Sequence, residues 1–78
     1  MKLHLSVSEI AKIVNRPPRT IRYYSKIELF APSGTNPDNG YHYYTIEKIE
    51  ELRLIKYLRH LNIPIKEIQE HLENRDVE

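Results

Sequence analysis

Two consecutive prolines, Pro17 and Pro18, constrain this chain more than any other feature. Ile10, Ala11 and Val14 before them form an apolar helical stripe, and Ser6 or Ser8 can cap that helix, with Glu9 favourable near its N-terminal dipole. The prolines forbid the helix from continuing, and a proline suits the first turn of the next one. Asn15 tolerates the left-handed conformation that closes a helix. Residues 8 to 27 therefore read as helix, tight turn, helix.

The second helix carries PPRTIRYYSKI, residues 17 to 27. Arg19, Arg22, Tyr23 and Lys26 fall at i, i+3, i+4 and i+7, so three cations and a phenol share one face. Ile21 and Tyr24 point elsewhere, towards a core. Arginine can fork onto phosphate or guanine, and tyrosine can donate to a phosphate oxygen. A solvated charged face is the competing reading of the stripe.

The net charge of +1 argues for nothing, but its distribution does. Ile10 to Ile27 holds Lys12, Arg16, Arg19, Arg22 and Lys26 with no acid, whereas from Thr45 onward six Lys/Arg face eight Asp/Glu, a balance of −2. A locally basic helix pair is an electrostatic footprint for a polyanion.

Leu3 and Leu5 alternate with Lys2 and His4, a strand-like start. Leu29 to Pro32 reads as a short strand, Pro37-Asp38-Asn39-Gly40 as a turn, and Tyr41 to Tyr44 as the return strand of a hairpin. A hairpin directly after a helix-turn-helix is a wing. Thr45 is expected to cap a long helix to Leu61. Ile49, Leu52 and Ile55 lie on one side of it, and Leu54, Tyr57, Leu58 and Leu61 on another, so it reads as sandwiched. Asn62 stops it. Pro64 opens a last helix with Ile65, Ile68 and Leu72, and Glu73 to Glu78 reads as a fraying polar end. Tyr24, Tyr43 and Tyr57 are the tyrosines expected to pack inward; Tyr23 and Tyr41 are those expected at a ligand.

EIAKIVNRPPRTIRYYSKIELFAP, then GYHYYT, then LRLIKYLRHLNIPIKEIQEHL, resembles the N-terminal DNA-binding domain of the MerR family of bacterial transcription regulators, from about Leu5 to Leu72. The resemblance implies a mainly α fold, a winged helix-turn-helix with a small β-hairpin wing and a second helix pair, over residues 1–75, with a polar tail at 76–78. It implies a sequence-specific, cytoplasmic transcription regulator that binds double-stranded operator DNA as a dimer and acts on RNA polymerase. A recognition helix at 18–27 and a wing at 30–44 would carry binding. The residues expected at DNA are Arg16, Arg19, Thr20, Arg22, Tyr23, Tyr24 and Lys26, with Tyr41 and His42 on the wing. The run IELFAP with PDNGYHYYT most resembles the multidrug-responsive branch.

Four positions depart from the family pattern. Pro17 replaces a small cap residue, Glu28 and Asn62 replace glycines, and His42 replaces the wing arginine. The family's long C-terminal dimerisation helix is also missing, so a fragment or a stand-alone small regulator is expected. A homodimer is expected only if such a helix follows, and these 78 residues alone should be monomeric.

Nothing in the chain suggests catalysis. It has no cysteine, no Gly-rich phosphate loop and no Ser/His/Asp order. His4, His42, His60 and His71 are scattered, so neither metal nor cofactor is expected. No apolar run approaches the length of a membrane span. Two alternatives stay open: an excisionase-like architectural DNA-binding protein, and a protein-interaction module docking through the two-sided helix.

Overall fold

The computed structural model describes residues 4–74. Its elements run α1 (Val7–Val14), α2 (Pro18–Lys26), β1 (Gly34–Thr35), β2 (His42–Tyr43), α3 (Ile46–His60) and α4 (Ile65–Asn74). Helix α1 starts with a reciprocal capping box. Ser6 Oγ accepts from Glu9 N–H at 3.1 Å, and Glu9 Oε1 accepts from Ser6 N–H at 2.8 Å.

Three helices end by one device, and none uses glycine for it. After α1, α2 and α3 the chain turns at Asn15 (φ 59°), Glu28 (φ 61°) and Asn62 (φ 64°). At each, two backbone N–H groups reach back to free carbonyls. Glu28 donates to Ser25 (3.1 Å) and Leu29 to Tyr24 (2.8 Å), while Asn62 donates to Arg59 (2.9 Å) and Ile63 to Leu58 (3.1 Å). Glu28 and Asn62 thus hold a left-handed turn, a conformation that glycine adopts at no steric cost.

The core unites Ile10, Ala11 and Val14 of α1, Ile21 and Tyr24 of α2, Leu52 and Ile55 of α3, and Ile68 of α4. Leu5, Leu29, Phe30 and Tyr44 close it on the wing side, where the Phe30 and Tyr44 rings stack with centroids 5.8 Å apart. No polar side chain is buried among the described residues.

Strands β1 and β2 pair antiparallel, Gly34 opposite Tyr43 and Thr35 opposite His42. Leu5 bridges Tyr44 through two 2.8 Å bonds, tying the N-terminal segment to the base of the wing. Gly34 suits its position because a Cβ there would meet the Tyr43 hydroxyl at 2.6 Å. The Tyr43 ring is itself stacked on His4, 4.1 Å between centroids.

Several expectations need correcting. Leu29 to Pro32 is not a strand: Leu29 and Phe30 both donate to the Tyr24 carbonyl, and their side chains turn into the core. Strand pairing starts only at Gly34. Tyr43 packs inward as expected but only partly, against His4 and Gly34, and it is Tyr44 that fills the core. Successive strand residues face opposite ways, and the Leu5 bridge turns Tyr44 inward.

Thr45 occupies the N-cap position of α3 but makes no side-chain bond to the helix backbone. Its Oγ1 lies 3.0 Å from Ser33 Oγ, which also accepts from Thr45 N–H at 2.9 Å. Helix α3 packs against both α1 and α4, as expected of a helix apolar on two sides. Leu52 and Ile55 are buried and Leu58 packs partly buried against the core, but Tyr57 and Leu61 stay 59% and 50% exposed. Helix α4 remains regular through Glu73 and Asn74. The expectations for Leu3 and for the tail at 76–78 lie outside the described residues.

Candidate nucleic-acid interface

Helix α2 projects from the core through Ile21 and Tyr24, which leaves its other face to solvent. Arg19, Arg22, Tyr23 and Lys26 are all exposed, Tyr23 by 52%. Among the described residues no carboxylate pairs with these three cations. The ion pair found among the described residues joins Lys48 to Glu51 at 3.5 Å, far along the chain from α2. Thr20 is half-buried, and Tyr24 is buried beneath Tyr23 with ring centroids 6.3 Å apart. Tyr24 therefore sits under the stripe rather than on it. Arg16 is half-buried in the turn and donates to the Asn15 carbonyl at 3.3 Å. It borders a shallow depression with Lys12, Pro17 and Pro18.

A cleft of about 660 Å³ separates α2 from the wing. Arg22, Ser25 and Lys26 form one wall; Gly40, Tyr41, His42 and Tyr44 form the other. Ser6, Val7 and Ser8, at the start of α1, close its end. Four of the expected residues thus converge on one space: Arg22, Lys26, Tyr41 and His42. Arg19, Thr20 and Tyr23 do not line this cleft.

Wing and helix also interact electrostatically. Burial pushes the Tyr44 phenol above its ordinary value, and the Arg22 guanidinium partly offsets this. At the wing, Thr35 Oγ1 lies 3.2 Å from His42 Nδ1, which leaves Nε2 as the outward nitrogen. Tyr41 at the turn is 73% exposed. Its N–H donates to Asn39 Oδ1 at 2.9 Å, and Asp38 N–H donates to Asn36 Oδ1 at 2.8 Å, so the turn is braced by its own side chains.

The sequence reading missed the serines of the cleft. Ser25 lies at i+3 from Arg22, on the same stripe, but a count of cations and phenols passes over it. Ser6 was legible as a cap and Ser8 as a candidate, but only the fold brings both to α2 and the wing. Tyr44 was legible as an aromatic residue without a direction.

A helix-turn-helix, a cationic second helix and a hairpin across a cleft together define a winged helix-turn-helix domain. The profile of the MerR HTH family of regulatory proteins matches residues 5–75, and the chain belongs to that family, whose members are DNA-binding transcription regulators. The Multidrug-efflux transporter 1 regulator of Bacillus subtilis is 38% identical over 66 residues, covering 85% of this chain and 24% of the relative. The Transcriptional regulator BrlR of Pseudomonas aeruginosa is 42% identical over 64 residues, covering 82% and 24%. A crystal structure of a MerR-family transcriptional regulator from Bacillus cereus superposes with a TM-score of 0.86 at 34% identity, covering 97% of this chain and 56% of that one. The chain thus spans about a quarter of the length of these two curated relatives.

Among the described residues, no helix is long and apolar enough to cross a membrane, and no three His, Asp or Glu side chains converge as metal ligands.

Proposed function

We propose that this chain is the sequence-reading unit of a transcription regulator, and not an enzyme. In this reading α2 enters the major groove of double-stranded DNA, and the wing grips the adjacent backbone. The observation that carries it is the α2 stripe: three exposed cations with no carboxylate partner among the described residues, beside a cleft that brings Arg22 and Lys26 opposite Tyr41 and His42. Arg19 and Arg22 have the fork geometry for guanine edges or phosphates, and the Tyr23 hydroxyl can donate to phosphate. Arg16, Lys26, Tyr41 and His42 take backbone positions, and the Thr20 hydroxyl lies at the groove edge. Tyr24 contributes by holding Tyr23 from below.

In the whole protein, operator binding as a homodimer and an effect on RNA polymerase follow from the family reading, as does a cytoplasmic location. The likeness to an efflux-transporter regulator supports the multidrug-responsive branch.

The experiment is duplex binding by wild type and Arg22→Ala across a salt series. Specific binding lost in Arg22→Ala at unchanged fold is the expected result. Normal binding by that variant would remove α2 from the interface.

A further inference from the structure

We infer that Lys56 and Gln69 are positioning residues that set the angle at which α2 presents its stripe. This rests on the reading of α2 as the base-reading element.

Each helix ends with carbonyls that its own ladder cannot satisfy. Val14, the last residue of α1, and Ile27, which closes α2, carry two such groups. Lys56 Nζ donates to the Val14 carbonyl at 2.8 Å, and Gln69 Nε2 donates to the Ile27 carbonyl at 2.9 Å. The first bond holds the chain just before the turn into α2; the second holds it just after α2 ends. Both span 42 residues and both are partly buried. Among the described residues they are the side-chain hydrogen bonds that join the first helix pair to the second.

Their direction matters because of what packs where. Helix α2 rests on α1, and α1 rests on α3. The link from α2 to the second pair therefore runs largely through shared apolar side chains. Apolar burial is non-directional, and although close packing limits the rotation of α2, it sets it less sharply than an aligned polar contact. A hydrogen bond weakens steeply away from alignment. Two such bonds, one at each end of α2, fix a line. Base recognition needs that line: phosphate contacts tolerate a small rotation, whereas a fork onto a base edge does not.

The test uses the 78-residue chain and two probes. One is the tightest duplex that wild type selects from a random pool; the other is a shuffled duplex of equal composition. Gln69→Met and Lys56→Met keep side-chain length and remove the donors, while Lys56→Arg keeps donor and charge. For each Met variant the ratio of selected to shuffled affinity is expected to fall about tenfold, equivalent to roughly one misread base pair, with the shuffled affinity of Gln69→Met unchanged. Lys56→Arg is expected to restore most of the ratio. Using the ratio cancels the long-range effect of removing the lysine charge. Ratios within about twofold of wild type, or both affinities falling in proportion as folded protein is lost, overturn the inference. If Gln69→Met does not fold by circular dichroism, the two Lys56 variants decide. Arg22→Ala runs alongside: if it binds the selected duplex normally, the reading of α2 fails and takes this inference with it. If it binds weakly while the Met variants keep their ratio, only the positioning role fails.

Discussion

Glu28 occupies a backbone conformation that its side chain resists, and Glu28→Gly should make the domain more stable. At φ 61° its Cβ crowds the following carbonyl, at a cost of about 1–2 kcal/mol for an L-residue. Nothing the side chain does compensates. It is exposed, and among the described residues it makes no hydrogen bond or ion pair. Removing it therefore gives up no hydrogen bond or ion pair among the described residues, while the two N–H bonds that close α2 are backbone bonds and stay. Glycine loses more chain entropy on folding, which takes back roughly 0.5–1 kcal/mol. The net gain is about 0–1.5 kcal/mol with a centre at about 0.75, which at its centre raises the melting midpoint by roughly 3–6 °C in a domain of this size. The assay is thermal and urea unfolding followed by circular dichroism, with Glu28→Ala as the control. Alanine removes the same charge but keeps the strain, so it should remain within about 0.5 kcal/mol of wild type. Glu28→Asn should fall between, since asparagine tolerates this conformation better than most residues. A glycine variant no more stable than the alanine variant would refute the assignment of strain at this turn.

Ile21, fully buried, should cost about 2–5 kcal/mol as Ile21→Ala, whereas Tyr23→Phe on the exposed face should weaken duplex binding at unchanged melting temperature. Three to five phosphates neutralised per domain give a slope of log K against log salt of about −3 to −4.5, and a flat profile would favour a protein-interaction module. His42→Arg adds a permanent cation to the wing and should steepen that slope by about 0.9, read on the same duplex; an unchanged slope would take His42 away from the phosphates. The raised Tyr44 phenol makes a pH prediction. Its contribution to stability is fully present below the unfolded tyrosine value of 10.0 and is lost as pH rises through the higher folded value. Tyr44→Phe should flatten the fall in urea midpoint above pH 10 relative to wild type.

Local rules made much of the chain legible. The proline pair and Asn15 stop α1 and start α2 because each acts on its own backbone, and their effect needs no partner. The spacing of Arg19, Arg22, Tyr23 and Lys26 follows from helical period alone, so the exposed stripe could be read before any packing was known. The Asn39-Gly40 turn and the serine cap of α1 are likewise local; of the two serines open to that role, Ser6 takes it.

What remained hidden depended on residues far apart in sequence. Tyr43 and Tyr44 are chemically identical, and only the bridge to Leu5 decides which one enters the core. Leu29 and Phe30 have strand-like composition, but the closing turn of α2 draws both N–H groups to Tyr24 and folds their side chains inward. The apolar count of α3 could not reveal that Leu58 packs against the core while Tyr57 and Leu61 stay exposed. Ser6, Ser25 and His42 became parts of one cleft only through the packing of α1, α2 and the wing. The sequence by itself determined where helices start and stop and which face of α2 is charged, because those depend on near neighbours. The tertiary structure alone decided which faces meet and which carbonyls Lys56 and Gln69 reach, because a contact spanning 42 residues has no local signature.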